Sequence, residues 1–336
     1  MTLYCGIDLH SNNCVISVIN DADKRLLETK VDNDPELVLK ALSRYKRHLK
    51  GVAVESTYNW YWLVDALQTA GHHVDLVNTA KVVQYKGLKR TDDRYDAFHL
   101  AHLMRLGILP TGYIYPQADR GLRDLLRKRM LLVQDRSRHI IRFKSHLQLL
   151  TGKTLRADAI KTRKFSVPLV GDANTQLALS SHIAVIRALT QQIKLMERSI
   201  LAQISPSAAF QGLKAIPGIG DILAETIVLE TGEISRFKEP GNFASYCRCV
   251  DSRRMSNGKK KGENNRKNGN RYLAWAFIEA ANFAVRRSEK AKEFYQRKAK
   301  QTNTIIARKA LAHKLARASY WIMRQGSDYD ESRLFA

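Results

Sequence analysis

Cysteine is scarce: Cys5, Cys14, Cys247 and Cys249 are the whole supply in 336 residues. Four scattered thiols exclude a disulfide-stapled scaffold, and Cys247-x-Cys249 lacks the paired Cys or His spacing of a zinc site. No run of about 18 apolar residues occurs, which excludes a membrane-spanning helix. The opening MTLYCGIDLH lacks the charged, apolar and small-residue order of a secretion signal, so a cytoplasmic location is expected. Acids are the most telling shortage. Only 32 Asp and Glu face 56 Lys and Arg, a net charge of +24.

That excess is not evenly spread. Residues 1–110 hold 14 basic and 13 acidic side chains, whereas residues 111–336 hold 42 and 19. A nearly neutral first third joined to a basic remainder of +23 predicts a polyanion as partner of the remainder. The basic residues do not form one amphipathic helix with a bulky apolar face, so nucleic acid is a better partner than a membrane surface.

In the first third, LYCGIDL, NNCVISVIN and KRLLETKV read as strands, with Val15, Ser17 and Ile19 on one face of the second. A helix opens at Pro35, GVAVES is a buried strand, Trp60 to Ala70 is helical and HHVDLVN is a fifth strand. A last helix carries TDDRYDAFHLAHLMRLG. This order is the layout of an α/β ribonuclease H-like domain. Asp8 ends the first strand and Glu55 the fourth, while Asp93 and Asp96 share a helix face. Four converging carboxylates suit Mg²⁺, a hard cation, and two such ions would clamp both oxygens of an in-line phosphoryl displacement. Taken singly, each acid is as well explained by a turn or a helix cap. His99 reads as a packing histidine.

The middle reads as a long basic helix over 119–150, a polar loop near 151–175, and a second helix with a coiled-coil seam at Ile186, Leu189, Ile193, Met196 and Ile200. The seam packs either on the first long helix, as an antiparallel hairpin, or on another subunit. Arg123, Arg127, Lys128, Arg138, Arg142 and Lys144 form a basic face that would track a phosphate backbone. In the mainly α last third, Pro217-Gly218-Ile219-Gly220 resembles a helix-hairpin-helix turn, which aims backbone N–H groups at phosphate. The expected boundaries are 1–112, 113–206 and 207–336.

Residues 252–272, SRRMSNGKKKGENNRKNGNRY, hold eight basic residues and one acid, Glu263. Arg253, Arg254, Lys259, Lys260, Lys261, Arg266, Lys267 and Arg271 make this a nucleic-acid-binding loop between packed helices. Ser256 sits inside it, before Asn257-Gly258. A serine hydroxyl needs a base or a metal to become a nucleophile. No Ser-His-Asp arrangement is visible, so activation would fall to the acidic quartet. From local sequence alone, Ser256 is either that nucleophile or a chance phosphate contact.

GIDLH, VAVES and TDDRYDA, together with IPGIGDILAETI, FASYCRC, SNGKKKG and KNGNRYLAWAF, resemble the DEDD-type insertion-sequence transposases, also called bridge recombinases. The resemblance covers nearly the whole chain. It implies a RuvC-like N-terminal domain with Asp8, Glu55, Asp93 and Asp96 as metal ligands. The family's Lys-Thr-Asp slot reads Thr91-Asp92-Asp93, which leaves Asp92 as a substitute for Asp93. The nucleophilic serine falls on Ser256, with Ser252 as the neighbour that could be confused with it. The resemblance further implies a serine–phosphate intermediate, a site shared between subunits of a dimer or tetramer, and a guide RNA beside donor and target DNA. Two other functions compete. A hydrolytic nuclease or junction resolvase would use the same acids with water. A non-catalytic nucleic-acid scaffold would use neither acids nor serine.

Overall fold

Seven residues in a row without one exposed side chain, Leu3–Leu9, form β1 at the centre of a five-stranded sheet. Burial on both faces is what a central strand between helix layers requires. The computed structural model describes residues 1–82, 92–162, 164–250, 254–262 and 268–335, in two units, Met1–Gln117 and Ala118–Ala336. In the first unit β2 (Asn13–Asn20) and β3 (Arg25–Asp32) continue from β1 as an antiparallel meander. Asp34 then caps α1 (Pro35–Leu42) by accepting from the Glu36 N–H at 2.7 Å, with Pro35 pre-set for the first turn. β4 (Leu49–Glu55) returns parallel to β1; α2 (Tyr61–Thr69), β5 (Val74–Val77) and α3 (Asp93–Arg105) follow. The strand order β3-β2-β1-β4-β5, with β4 and β5 parallel to β1, is the ribonuclease H-like arrangement read from the sequence.

Alternation along β1 decides which residues meet which helices. Cys5, Ile7 and Leu9 join the core under α1 and α2 with Val38, Leu42, Leu63 and Leu67. Tyr4 packs toward α3 at Ala101, and Gly6 faces α3 directly. A Cβ on Gly6 would lie 2.0 Å from the Ala97 carbonyl oxygen and 2.7 Å from the Ala101 nitrogen. Strand and helix therefore touch backbone to backbone, which draws the start of α3 toward Asp8. Gly6→Ala is expected to destabilise the protein by about 3 kcal/mol through overpacking. A urea midpoint equal to that of the wild type would show that α3 can lift off without cost.

In the second unit, α4 (Gln117–Thr151) and α6 (Ala173–Gln203) flank the short α5 (Ala157–Ile160). The two long helices run antiparallel. Arg129 pairs with Glu197, Arg136 meets Thr190 at 3.4 Å and His139 meets His182 at 3.1 Å. Ile140, Phe143 and Leu147 pack with Leu179, Ile183 and Ile186. Ile186, Ile193 and Ile200 of the seam are buried within the single chain, whereas Leu189 and Met196 are partly exposed.

The remainder is α7 (Ala208–Lys214), α8 (Asp221–Thr231), α9 (Pro240–Tyr246), a hairpin of β6 (Arg254–Ser256) and β7 (Lys259–Gly262), α10 (Arg271–Arg287), α11 (Glu289–Gln301), α12 (Thr304–Gln325) and α13 (Glu331–Phe335). Its core gathers Phe210, Leu213, Ile227, Phe243, Phe277, Leu311 and Leu315. Gly218, between α7 and α8, is buried at φ +101°, and a Cβ there would stand 2.4 Å from the Ala280 carbonyl of α10. Close packing on α10 accounts for a glycine at that position; Gly220, at the N-cap of α8, is exposed. No described helix is long and apolar enough to cross a membrane.

Candidate active site

Parallel pairing of β1 with β4 sets Ile7 beside Val54, so the next residues of the two strands, Asp8 and Glu55, emerge at neighbouring ends. They share a hydrogen bond. Asp8 is 3% exposed, on the side of β1 that faces α3. From α3, Asp93 and Asp96 lie one turn apart above it. Asp92 is separated from them in role: its carboxylate accepts from the Tyr95 N–H at 2.7 Å as the helix N-cap. Asp93, by contrast, has a carboxylate oxygen 3.3 Å from His10 Nε2; Thr91 lies outside the described residues.

The cluster is electrostatically crowded. Burial, then the hydrogen bond and charge of Asp8, then the charge of Asp96 push the Glu55 carboxyl up to about 8. Burial followed by the charges of Asp8 and Asp93 also raises Asp96. One Asp96 oxygen is buried with no hydrogen-bond partner. Carboxylates forced together, with an acceptor left unsatisfied, are what a hard cation would relieve, so these residues fit a divalent metal. At pH 8, without divalent cation, Glu55→Gln is expected to raise the melting temperature by roughly 4 °C, about 1 kcal/mol. Added Mg²⁺ should stabilise the wild type and leave the variant nearly unmoved. A variant that melts no higher than the wild type would mean the acids do not repel one another.

His10 belongs to this cluster and went unnoticed in the sequence. Its Nε2 lies 3.3 Å from one oxygen of Asp8 and 3.3 Å from one of Asp93, without hydrogen-bond alignment to either. One ligand atom each from Asp8, His10 and Asp93 falls within 4.8 Å of the others. The Asn33 and Asn59 side-chain amides both donate to the His10 carbonyl at 3.0 Å, which pins the turn after β1. The signal was available: residues two apart in an extended segment share a side, so GIDLH presents His10 with Asp8. His99 is buried and stacked 5.8 Å from Tyr95, a packing residue as read.

Ser256 lies in the other unit. The segment read as a plain loop contains a two-stranded hairpin in which Ser256 pairs with Lys259 across Asn257 and Gly258. Both turn residues have positive φ, +48° and +71°, the type I′ geometry that Asn-Gly favours. Ser256, Lys259 and Lys261 are exposed. Arg253, Ser252, Arg266 and Lys267 lie outside the described residues, as do the side chains of Arg254 and Lys260. Arg271 is exposed at the start of α10 and donates to the Tyr272 hydroxyl at 2.8 Å.

The basic face expected on α4 needs correction. Lys128, Arg138 and Arg142 are exposed, but Arg123 is 5% exposed and Arg127 turns inward. Both meet the buried Glu230, Arg127 through both carboxylate oxygens. A buried carboxylate must be paired, and it draws these two guanidinium groups away from solvent. All four cysteines are buried; burial pushes the Cys14 and Cys249 thiols up to about 12, which marks them as packing groups.

Residues 5–151, which include the four carboxylates and His10, match the family described as Transposase (DEDD_Tnp_IS110). Residues 211–296, which include the serine hairpin, match the Transposase IS116/IS110/IS902 family. Two stretches of the chain are therefore similar to transposase domains. The two families named are of the IS110/IS116 type, one matched in the first half of the chain and one in the second. It is 24% identical over 221 residues to "Putative transposase y4qE" of Sinorhizobium fredii, covering 66% of this chain and 55% of that one. It is 26% identical over 148 residues to "Probable family 20 transposase" of Pseudomonas aeruginosa, covering 43% and 44%. "Insertion element IS116 uncharacterized 44.8 kDa protein" of Streptomyces clavuligerus is 27% identical over 147 residues, covering 43% and 37%. The matched stretches thus span about half the length of these relatives.

Proposed function

We infer that the chain cuts and rejoins DNA strands through a covalent serine–phosphate intermediate. The observation that carries this reading is the convergence of Asp8, Glu55 and Asp96, with Asp93 and His10 beside them, on one end of a ribonuclease H-like sheet. Asp8, Glu55, Asp93 and Asp96 would hold Mg²⁺, which supplies Lewis-acid stabilisation of the attacking and leaving oxygens when bound. Ser256 Oγ attacks a scissile phosphate and its proton passes to a base at the acidic cluster. The new bond is Oγ–P; the bond that breaks is P–O to the neighbouring sugar, which leaves as a hydroxyl. A phosphodiester is exchanged for a phosphodiester, so attack by another strand's hydroxyl reseals the DNA and frees the serine without ATP. Lys259, Lys261 and Arg271 supply positive charge near the hairpin, suited to the charge that develops on the phosphorane oxygens.

The site is completed between subunits, Ser256 of one copy meeting the acids of another in a dimer or tetramer. A non-coding guide RNA pairs with donor and target DNA, and the basic residues of 111–336 neutralise both polyanions. The test is a denaturing gel of the protein with Mg²⁺, labelled duplex carrying the ends of the gene's own element, and the transcript of the flanking DNA. A protein–DNA adduct whose proteolysed peptide carries phosphate on Ser256 is the expected result. Cleaved DNA with free ends and no adduct would make the chain a metal-ion nuclease, and salt-sensitive binding without cleavage would leave it a scaffold.

A further inference from the structure

Glu230, at the last turn of α8, is 1% exposed, an unusual place for a carboxylate. Side chains from two directions hold it. From α4 come Arg127, whose Nη2 donates at 2.9 Å and whose Nε also donates, and Arg123 at 3.2 Å. From the other side comes the side-chain amide of Asn270, at 2.7 Å. Asn270 is the residue that ends the basic serine segment and begins α10. Its Oδ1 accepts from the Tyr272 and Leu273 N–H groups at 2.8 and 3.1 Å, capping that helix. Its own N–H donates to the Tyr246 carbonyl at 2.6 Å, at the point where the chain leaves α9 toward the hairpin.

The outgoing and returning strands are tied again one step further out. Arg248, held at φ +56°, donates from Nε and Nη2 to the Gly269 carbonyl at 3.1 and 2.8 Å. Gly269 has φ +92°, and a Cβ on it would stand 2.4 Å from the Tyr246 carbonyl oxygen, so the two strands cross in backbone contact. The Arg127 guanidinium also covers the Tyr272 ring at 4.3 Å, which joins α4 to the first turn of α10.

We propose that Glu230, acting through Asn270, is a positioning residue that fixes the root of the Ser256 hairpin to the helical body. Burying a carboxylate against two guanidinium groups gains little stability over an apolar core of the same shape, but it specifies one arrangement of the groups that share it. Here the shared arrangement is the crossing of 246–248 with 269–270, from which the serine segment leaves and to which it returns. The proposal rests on Ser256 as nucleophile only for its catalytic consequence; the tie itself is independent of the chemistry.

Glu230→Ala removes the carboxylate that both Arg123 and Arg127 meet and is expected to unfold the domain. Asn270→Ser is the informative variant, because serine still caps α10 but is too short to reach Glu230. In the full-length protein, with Mg²⁺ and the labelled duplex and transcript described above, Asn270→Ser should form adduct roughly tenfold more slowly at saturating DNA. Half-saturating DNA concentration should stay within about twofold, and the melting temperature should barely move. Hydrogen exchange of peptides within 247–270 should accelerate about tenfold, with the rest of the chain unchanged. Wild-type adduct rate and wild-type exchange would overturn the proposal. A slower rate matched by weaker binding and a lower melting temperature would do so too, reducing Asn270 to a structural cap. If the wild type yields no adduct, the exchange result decides alone: acceleration upholds the tie while the serine chemistry falls, and no acceleration removes the tie.

Discussion

Ser256→Ala is expected to lower adduct formation by roughly a thousandfold or more, to background, while DNA and RNA affinity stay within about twofold. The asymmetry follows from where the residue sits. Its side chain is exposed beside a two-residue turn, and the turn's geometry is set by Asn257 and Gly258, not by the serine. Alanine takes the same extended backbone, so the hairpin and its lysines survive and only the attacking oxygen is lost. Nothing in the remaining side chain can accept a phosphoryl group. The matched control is Ser252→Ala, which should react like the wild type. Adduct that persists in Ser256→Ala but vanishes in Ser252→Ala would move the nucleophile four residues upstream.

Asp8→Asn is expected to abolish cleavage by a comparable factor, for a different reason. The amide keeps the size and burial of a residue that is 3% exposed, and it still offers one acceptor oxygen toward Glu55. What it removes is a negative charge that meets both Glu55 and His10. Titration calorimetry with Mn²⁺ should show at least tenfold weaker binding, a readout that needs no DNA, and cleavage should fall with it. Asp92→Asn makes the contrast: asparagine caps a helix as well as aspartate, so stability and activity should both hold. Equal loss in Asp92→Asn would place Asp92, and not Asp93, among the ligands. Loss of folding in Asp8→Asn without loss of Mn²⁺ binding would make Asp8 structural.

The sheet was legible because its signals are local. A seven-residue apolar strand, an alternating second strand and helices opening at Pro35 or after Asp92 each announce themselves within ten residues. The nearness of Asp8, Glu55 and Asp96 was legible because strand ends and an i, i+3 helix pair have fixed geometry once the element order is known. His10 was missed because a polar residue after a strand is usually a turn residue. The serine segment was read as a loop although Asn257-Gly258 carries the type I′ signal, since the surrounding lysines lack the β-branched pattern of a strand. Arg127 was read as a solvent-facing cation because the residue that turns it inward, Glu230, is 103 positions away. Nothing near Gly218 in the sequence announces the α10 backbone against which it rests. Local chemistry was readable, whereas pairing across long loops was not.

The backbone contact at Gly6 has a bearing on how this protein can change. Because α3 meets β1 backbone to backbone at Gly6, the approach of Asp96 to Asp8 is set there by main-chain atoms. Residues of the surrounding core can be exchanged for others of similar volume without altering that spacing, as if the two acids hung from a hinge pin set apart from the packing. Robustness to mutation is thus spread over many positions, and vulnerability is concentrated in one that carries no side chain at all.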